Sequence, residues 1–126
     1  MKEQKSGLIV NISSWAGKYV STLTGPAYTS AKHAVNALTE SINMEAGHFG
    51  IRACAICPGE VATPILDKRP IPVSDEDKKK MVQPEDCAKT VIFLTQLHPR
   101  VCINEITISP TWNRDYVSRL TDQIPS

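Results

Sequence analysis

Gly7-Leu8-Ile9-Val10-Asn11-Ile12-Ser13-Ser14 is a short, nearly continuous β-branched run that ends in small polar residues. A run of this length without polar alternation suits a parallel strand buried on both faces. After it, residues 15–25 form a polar, Gly-containing connection, and a helix starts near Pro26, a residue favoured in a first turn. Ala27, Ala31, Ala34, Val35, Leu38, Ile42 and Ala46 recur at three- and four-residue spacings, and the helix stops near Gly47 or Gly50. Ile51-Arg52-Ala53-Cys54-Ala55-Ile56-Cys57 then reads as a second strand, ended by Pro58-Gly59.

Residues 60–82 differ in kind. Pro64, Pro70 and Pro72 break any long element, and Asp75-Glu76-Asp77-Lys78-Lys79-Lys80 is a charge run. Ser74 with Asp77 can cap one or two helical turns, and a segment like this is expected to lie over a surface and move. The charge run reads as a solvated helix face in preference to the rim of a polar-substrate site. From Pro84 a firmer helix begins, with Glu85 and Asp86 in the first turn, where the dipole favours anions. Ile103-Asn104-Glu105-Ile106-Thr107-Ile108-Ser109 alternates like a third strand, and Pro110 closes it. The tail, 111–126, is polar, with Trp112 and Tyr116 as anchors. Strand, helix, strand, helix, strand implies right-handed crossovers and a three-stranded parallel α/β sheet. Ligands of such sheets bind beyond the strands' carboxyl ends, here Ser13-Ser14, Pro58-Gly59 and Ser109-Pro110.

At 126 residues the chain has room for one domain, 1–126. Apolar residues at 41% and charged residues at 21% are ordinary globular usage. The net charge of +1 gives no general attraction to nucleic acid or an anionic membrane. No apolar run approaches the ~20 residues of a membrane span, and the opening Met-Lys-Glu-Gln-Lys-Ser-Gly lacks the apolar segment of a secretory signal. Four cysteines, 54, 57, 87 and 102, are too sparse for a disulfide scaffold, so a reducing cytoplasm is expected. Cys54 and Cys57 have zinc-like spacing, but residues three apart on a strand face opposite sides. They are read as buried small hydrophobes. His33, His48 and His98 lack ligand spacing and read as surface or interface residues, so no metal site is expected. Trp15, Trp112 and Tyr116 read as packing residues.

The sharpest constellation is Tyr28-Thr29-Ser30-Ala31-Lys32 with Ser14 fourteen residues before the tyrosine. Residues four apart share a helix face one turn apart. A free phenol, titrating near ~10, is a poor acid-base catalyst at neutral pH, and a neighbouring ammonium favours its phenolate. A serine at a strand end can hydrogen-bond the reacting oxygen. Such a set moves a proton while a hydride moves elsewhere. Nothing here supplies a base for Ser14, so it is not a hydrolytic triad.

Gly7 to Ser14 with Ala16-Gly17, then Tyr28 to Lys32, then Cys57-Pro58-Gly59-Glu60-Val61-Ala62-Thr63-Pro64, resembles the C-terminal half of a short-chain dehydrogenase/reductase, over about residues 7–112. The resemblance implies a partial Rossmann-like sheet with flanking helices and the N-terminal cofactor-binding half absent. It implies that Tyr28 is the general acid/base, that Ser14 orients the substrate carbonyl or alcohol, and that Lys32 also holds the nicotinamide ribose. Pro58, Gly59, Val61 and Thr63 would contact the cofactor, NAD or NADP, and residues 60–82 would be the substrate lid. The implied reaction interconverts a secondary alcohol and a carbonyl, and the implied assembly is a homo-oligomer built through the helix carrying Tyr28 and Lys32.

The departures from the family pattern are specific. No Gly-x-Gly-x-x-Gly turn occurs among the six glycines. The family's Asn-Ala-Gly motif and the asparagine of its catalytic tetrad are also missing. Met1-Lys2-Glu3-Gln4-Lys5 resembles the end of the family's preceding helix, which makes Met1 an expected internal residue of a longer parent. NAD and NADP stay equivalent, because the selecting residues fall in the half not represented. A second reading is a non-catalytic fragment or interaction module, whose first strand would need a partner edge. A dithiol redox protein rests on the 54/57 spacing alone.

Overall fold

Residues Ile51–Pro58 (β2) form the middle strand of a three-stranded parallel sheet in the computed structural model, which describes residues 1–117. Gly7–Ile12 (β1) pairs on one side, with Val10 opposite Cys54, and Glu105–Ile108 (β3) on the other, with Ile106 opposite Ile56. The expected strands are thus present with shorter outer members: β1 stops at Ile12 instead of Ser14, and β3 covers four of the seven residues from 103 to 109. The long helix α1 is Gly25–Ala46, α2 is Asp75–Lys80, α3 is Pro84–Thr95 and α4 is Arg114–Val117. Trp112 and Tyr116 lie within the described part of the predicted tail; 118–126 lie outside the described residues.

The side-chain alternation of β2 sorts the two helices onto opposite faces. Cys54 and Ile56 cluster with Leu94 of α3, joined by Leu8 and Val10 of β1 and Ile106 and Ile108 of β3. Ala53, Ala55 and Cys57 point the other way, where the Cys57 Sγ lies 3.7 Å from Asn36 Oδ1 of α1. Their small volumes let α1 approach the sheet closely. Because the strand order is β1-β2-β3, both crossovers step in the same direction while their helices lie on opposite faces. The two crossovers therefore have opposite hands, and the expectation of two right-handed ones fails. Handedness is imposed when a twisted strand feeds directly into a packing helix. Residues 59–83, inserted between β2 and α3, release that constraint.

β1 is also less covered than its sequence suggests. Among the described residues it sits at the sheet edge, its residues are half-buried and Ile12 is 52% exposed, where the sequence pattern suggests burial on both faces. Two polar side chains finish what the short outer strands leave open. Asn43 of α1 donates from Nδ2 to the Ala53 carbonyl (2.8 Å) and accepts the Ala53 N–H on Oδ1 (2.7 Å), standing in for a strand neighbour. Arg52 donates to the carbonyls of Leu97, His98 and Val101, satisfying groups beyond the end of α3.

Segment 60–82 has a small core of its own. Leu66, Val73 and Met81 cluster together with Ala62 packed against them. Ser74 Oγ accepts the Asp77 N–H (3.1 Å) at the start of α2, as the sequence predicts. The segment closes where Ala62 N–H donates to Val82 O (2.8 Å) and Val82 N–H to Glu60 O (3.2 Å). The charge run is only partly a free surface, since Lys78 Nζ binds Asp67 at 2.8 Å and lies 3.9 Å from Asp75.

Candidate active site

The two serines after β1 have different environments. Ser13 continues the ladder by donating its N–H to Ile56 O (2.7 Å), is buried, and donates from Oγ to the Lys32 carbonyl of α1 (3.3 Å). Ser14 is half-buried and caps the 3-10 turn Trp15–Gly17, its Oγ accepting the Ala16 N–H at 3.1 Å. With a lone pair engaged in this way, the Ser14 hydroxyl proton is free to be donated. Only glycine fits at the end of that turn. A Cβ on Gly17 would lie 2.6 Å from Ser13 Oγ and 2.9 Å from the Lys32 carbonyl oxygen. Asn36 Nδ2 completes the junction by donating to Gly17 O at 2.9 Å.

Lys32 reaches from α1 to the end of β1, where its Nζ donates to the Ile12 carbonyl at 3.0 Å. The same ammonium lies 5.7 Å from the centroid of the Tyr28 ring, one helical turn back. Tyr28 is 46% exposed. Ser14, Tyr28 and Lys32 thus occupy the end of β1 and the first turns of the helix that follows it. Val20, Thr22, Pro26, Thr29, Ser30 and His33 line an open cavity of about 680 Å³, to which Ser14, Tyr28 and Lys32 do not contribute. His33 is half-buried and its Nδ1 donates to the Thr29 carbonyl at 2.8 Å.

Across the strand tips, Pro58 ends β2 and Gly59 N–H donates to Ile108 O (2.7 Å). Gly59 packs under Trp15, and a Cβ there would sit 3.3 Å from the indole. Glu60 follows at φ +44, a left-handed conformation that costs a non-glycine residue roughly 1–3 kcal/mol. Its carboxylate takes a 2.7 Å hydrogen bond from Arg114 Nε. Val61 pairs with Val82, and Thr63 enters the 3-10 turn Pro64–Lys68. Thr63, Pro64, Asp67, Lys78 and Gln83 line a second cavity, of about 500 Å³. The hydrogen bond to Asp67 raises the Lys78 pKa, so this lysine stays cationic.

Burial pushes the Cys54 thiol up to about 11 and raises that of Cys57 as well. Both are buried and free, as read from the sequence, and no cluster of metal ligands occurs among the described residues. Trp15 packs against Tyr19 (ring centroids 4.5 Å), whereas Trp112 and Tyr116 stay half-exposed. Four residues escape the motif reading. Asn36 and Asn43 carried a signal, since they continue the helix face of Tyr28 and Lys32 at four- and seven-residue steps. The pairing of Glu60 with Arg114 carried none, because 54 residues separate them.

A parallel α/β sheet with a serine, a tyrosine–lysine pair and a Pro-Gly turn at its strand tips defines a class of α/β oxidoreductase-like folds. The family profile described as short chain dehydrogenase matches residues 1–72. An uncharacterised oxidoreductase of Staphylococcus saprophyticus is 34% identical over 110 residues, covering 87% of this chain and 44% of that protein. Among solved structures, a short chain dehydrogenase/reductase family oxidoreductase of Burkholderia thailandensis superposes with TM-score 0.77 at 28% identity, covering 96% of this chain and 52% of its own. A 3-oxoacyl-[acyl-carrier protein] reductase of Brucella melitensis, solved with bound NAD, gives TM-score 0.69 at 27% identity over 86% of this chain and 41% of its own. The chain belongs to the short-chain dehydrogenase family, as its motifs led us to expect. It spans about half the length, or less, of the relatives it matches. No helix among the described residues is long and apolar enough to cross a membrane.

Proposed function

We propose that this chain carries the catalytic half of an NAD- or NADP-dependent oxidoreductase that interconverts a secondary alcohol and a carbonyl. The observation that carries the reading is the Lys32 ammonium, bonded to Ile12 O and 5.7 Å from the Tyr28 ring, at the strand end that also bears Ser14. In reduction Tyr28 gives its phenol proton to the carbonyl oxygen; in oxidation it takes the alcohol proton back. Lys32 stabilises the negative charge that develops on the phenol oxygen during transfer. Ser14, whose Oγ already accepts from Ala16, donates its own proton to the substrate oxygen and fixes its position.

The residues present suit the nicotinamide side of a dinucleotide. Lys32 uses one N–H on Ile12 and has two more for a ribose, and in this reading Pro58, Gly59, Val61 and Thr63, which follow one another at and after the end of β2, contact the nicotinamide. When bound there, the nicotinamide supplies or accepts the hydride. No residues of this chain form a Gly-rich phosphate turn, so the pyrophosphate needs a cradle from elsewhere. Segment 60–82, with its own core, serves in this reading as the substrate lid, and α1 as an oligomer interface. The competing interaction-module reading draws on one observation, the unpaired outer edge of β1 among the described residues.

The test is turnover of a secondary-alcohol panel with NAD and NADP. It compares the chain alone with the chain fused to the part of the Staphylococcus relative that it does not cover. Turnover by the fusion, reduced at least about 100-fold by Tyr28→Phe, is expected. A fusion that folds and turns over equally well with Phe in place of Tyr28 overturns the assignment.

A further inference from the structure

The segment after β3 touches the loops that follow both other strand tips, the second of them at two places. Tyr116 of α4 lies edge-on to Trp15, which follows Ser14, with ring centroids 6.1 Å apart. Lys80, at the end of α2 in segment 60–82, sits 5.1 Å over the Trp112 ring. Arg114 Nε binds Glu60 Oε1 at 2.7 Å, inside the Pro58–Thr63 turn. Asn113, almost fully buried, orders this segment by accepting the Asp115 N–H on Oδ1 at 3.0 Å.

Glu60 is where these contacts converge. Its carbonyl accepts the Val82 N–H that closes segment 60–82, and its carboxylate accepts from Arg114. Its backbone is left-handed, and its second carboxylate oxygen is buried without a hydrogen-bond partner. An exposed ion pair would do little here. Glu60, however, is largely covered, so removing Arg114 takes the partner from Oε1 beside an Oε2 that is already buried and unpaired. The residue then swings outward, and the left-handed turn loses the contact that holds it.

We infer that Arg114 is a positioning residue: through Glu60 it holds the Pro58–Thr63 turn, and with it the closure of segment 60–82, in the shape that receives the nicotinamide half of the cofactor. This rests on the cofactor-side reading above. The segment after β3 is then a clasp on cofactor binding.

The experiment uses the 126-residue chain, with nicotinamide mononucleotide as probe because it needs no phosphate-turn partner for its second nucleotide. Amide exchange at Ala62 and Val82 and an NMR titration are compared for wild type, Arg114→Met, Arg114→Lys and Glu60→Gln. Met keeps the stem's packing and removes the charge. Faster exchange at both amides and affinity weakened by about tenfold are expected for Arg114→Met. Arg114→Lys should restore part of each effect, and Glu60→Gln, which keeps an acceptor oxygen, should fall between. Unchanged exchange in Arg114→Met refutes the clasp itself, whatever binds. Faster exchange with unchanged affinity refutes the positioning role. A wild-type chain whose amides are protected but which binds no mononucleotide overturns the cofactor-side reading and this inference together.

Discussion

Replacing Asn43 by leucine should be among the most damaging single changes in this chain. The asparagine satisfies both backbone polar groups of Ala53, at 2.7 and 2.8 Å, and Ala53 is completely buried. Leucine keeps the branched four-atom skeleton and raises the helix propensity, but orphans one donor and one acceptor. At about 1–3 kcal/mol for each buried group, the loss sums to roughly 2–6 kcal/mol. Cys102 moderates this, since its Sγ lies 3.6 Å from Ala53 O and can keep donating weakly to it. The lower half of the range, about 2–4 kcal/mol, is therefore expected, a large share of the roughly 5–15 kcal/mol typical of a domain. Urea unfolding followed by far-ultraviolet circular dichroism measures it by linear extrapolation. Ser41→Leu, at an exposed position of the same helix, controls for propensity and should shift stability by less than about 0.5 kcal/mol. Amide exchange at Ala53 gives a second reading. A loss under about 1 kcal/mol for Asn43→Leu, with the Ala53 amide still protected, would refute the idea that this side chain substitutes for a strand.

Gly17→Ala should destabilise by about 1–3 kcal/mol, because its Cβ would meet Ser13 Oγ at 2.6 Å and the Lys32 carbonyl at 2.9 Å; thermal melts against wild type check this. Above about pH 9 the chain should lose stability. The folded state holds the Cys54 proton up to about 11 while the unfolded thiol releases it near 9, so the unfolded state binds fewer protons in that window. The slope from this one group is at most about 1.4 kcal/mol per pH unit, and urea midpoints at about pH 8 to 11 should flatten in Cys54→Ala. Changing Cys54 and Cys57 together to Ala should lower stability through lost packing and leave mononucleotide binding intact, whereas stoichiometric zinc in the purified chain would contradict it. The isolated chain should bind NAD and NADP about a thousandfold more weakly than a complete family member, if a missing phosphate cradle supplies ~4 kcal/mol; micromolar binding by calorimetry would mean that a segment here replaces that cradle.

The sequence alone determined the elements, because each is specified locally. The β-branched run at Gly7, the short run of small and apolar residues at Ile51, the three- and four-residue apolar spacing after Pro26 and the Ser74–Asp77 cap depend on neighbours within a turn or a strand. The family was legible for the same reason: Tyr28 and Lys32 are one turn apart in any helix, and Ser14 and Pro58-Gly59 follow strands wherever those strands go. Tertiary structure decided what contacts across the chain decide. It put α1 and α3 on opposite faces, giving one crossover the hand that local rules disfavour. It also left β1 half-covered at an edge and made Ser13 the tie to α1 while Ser14 kept a free proton. The Glu60–Arg114 pair belongs wholly to this second kind. No spacing rule links residues 54 apart, and only the convergence of the β2 and β3 tips at one end of the sheet brings them within 2.7 Å.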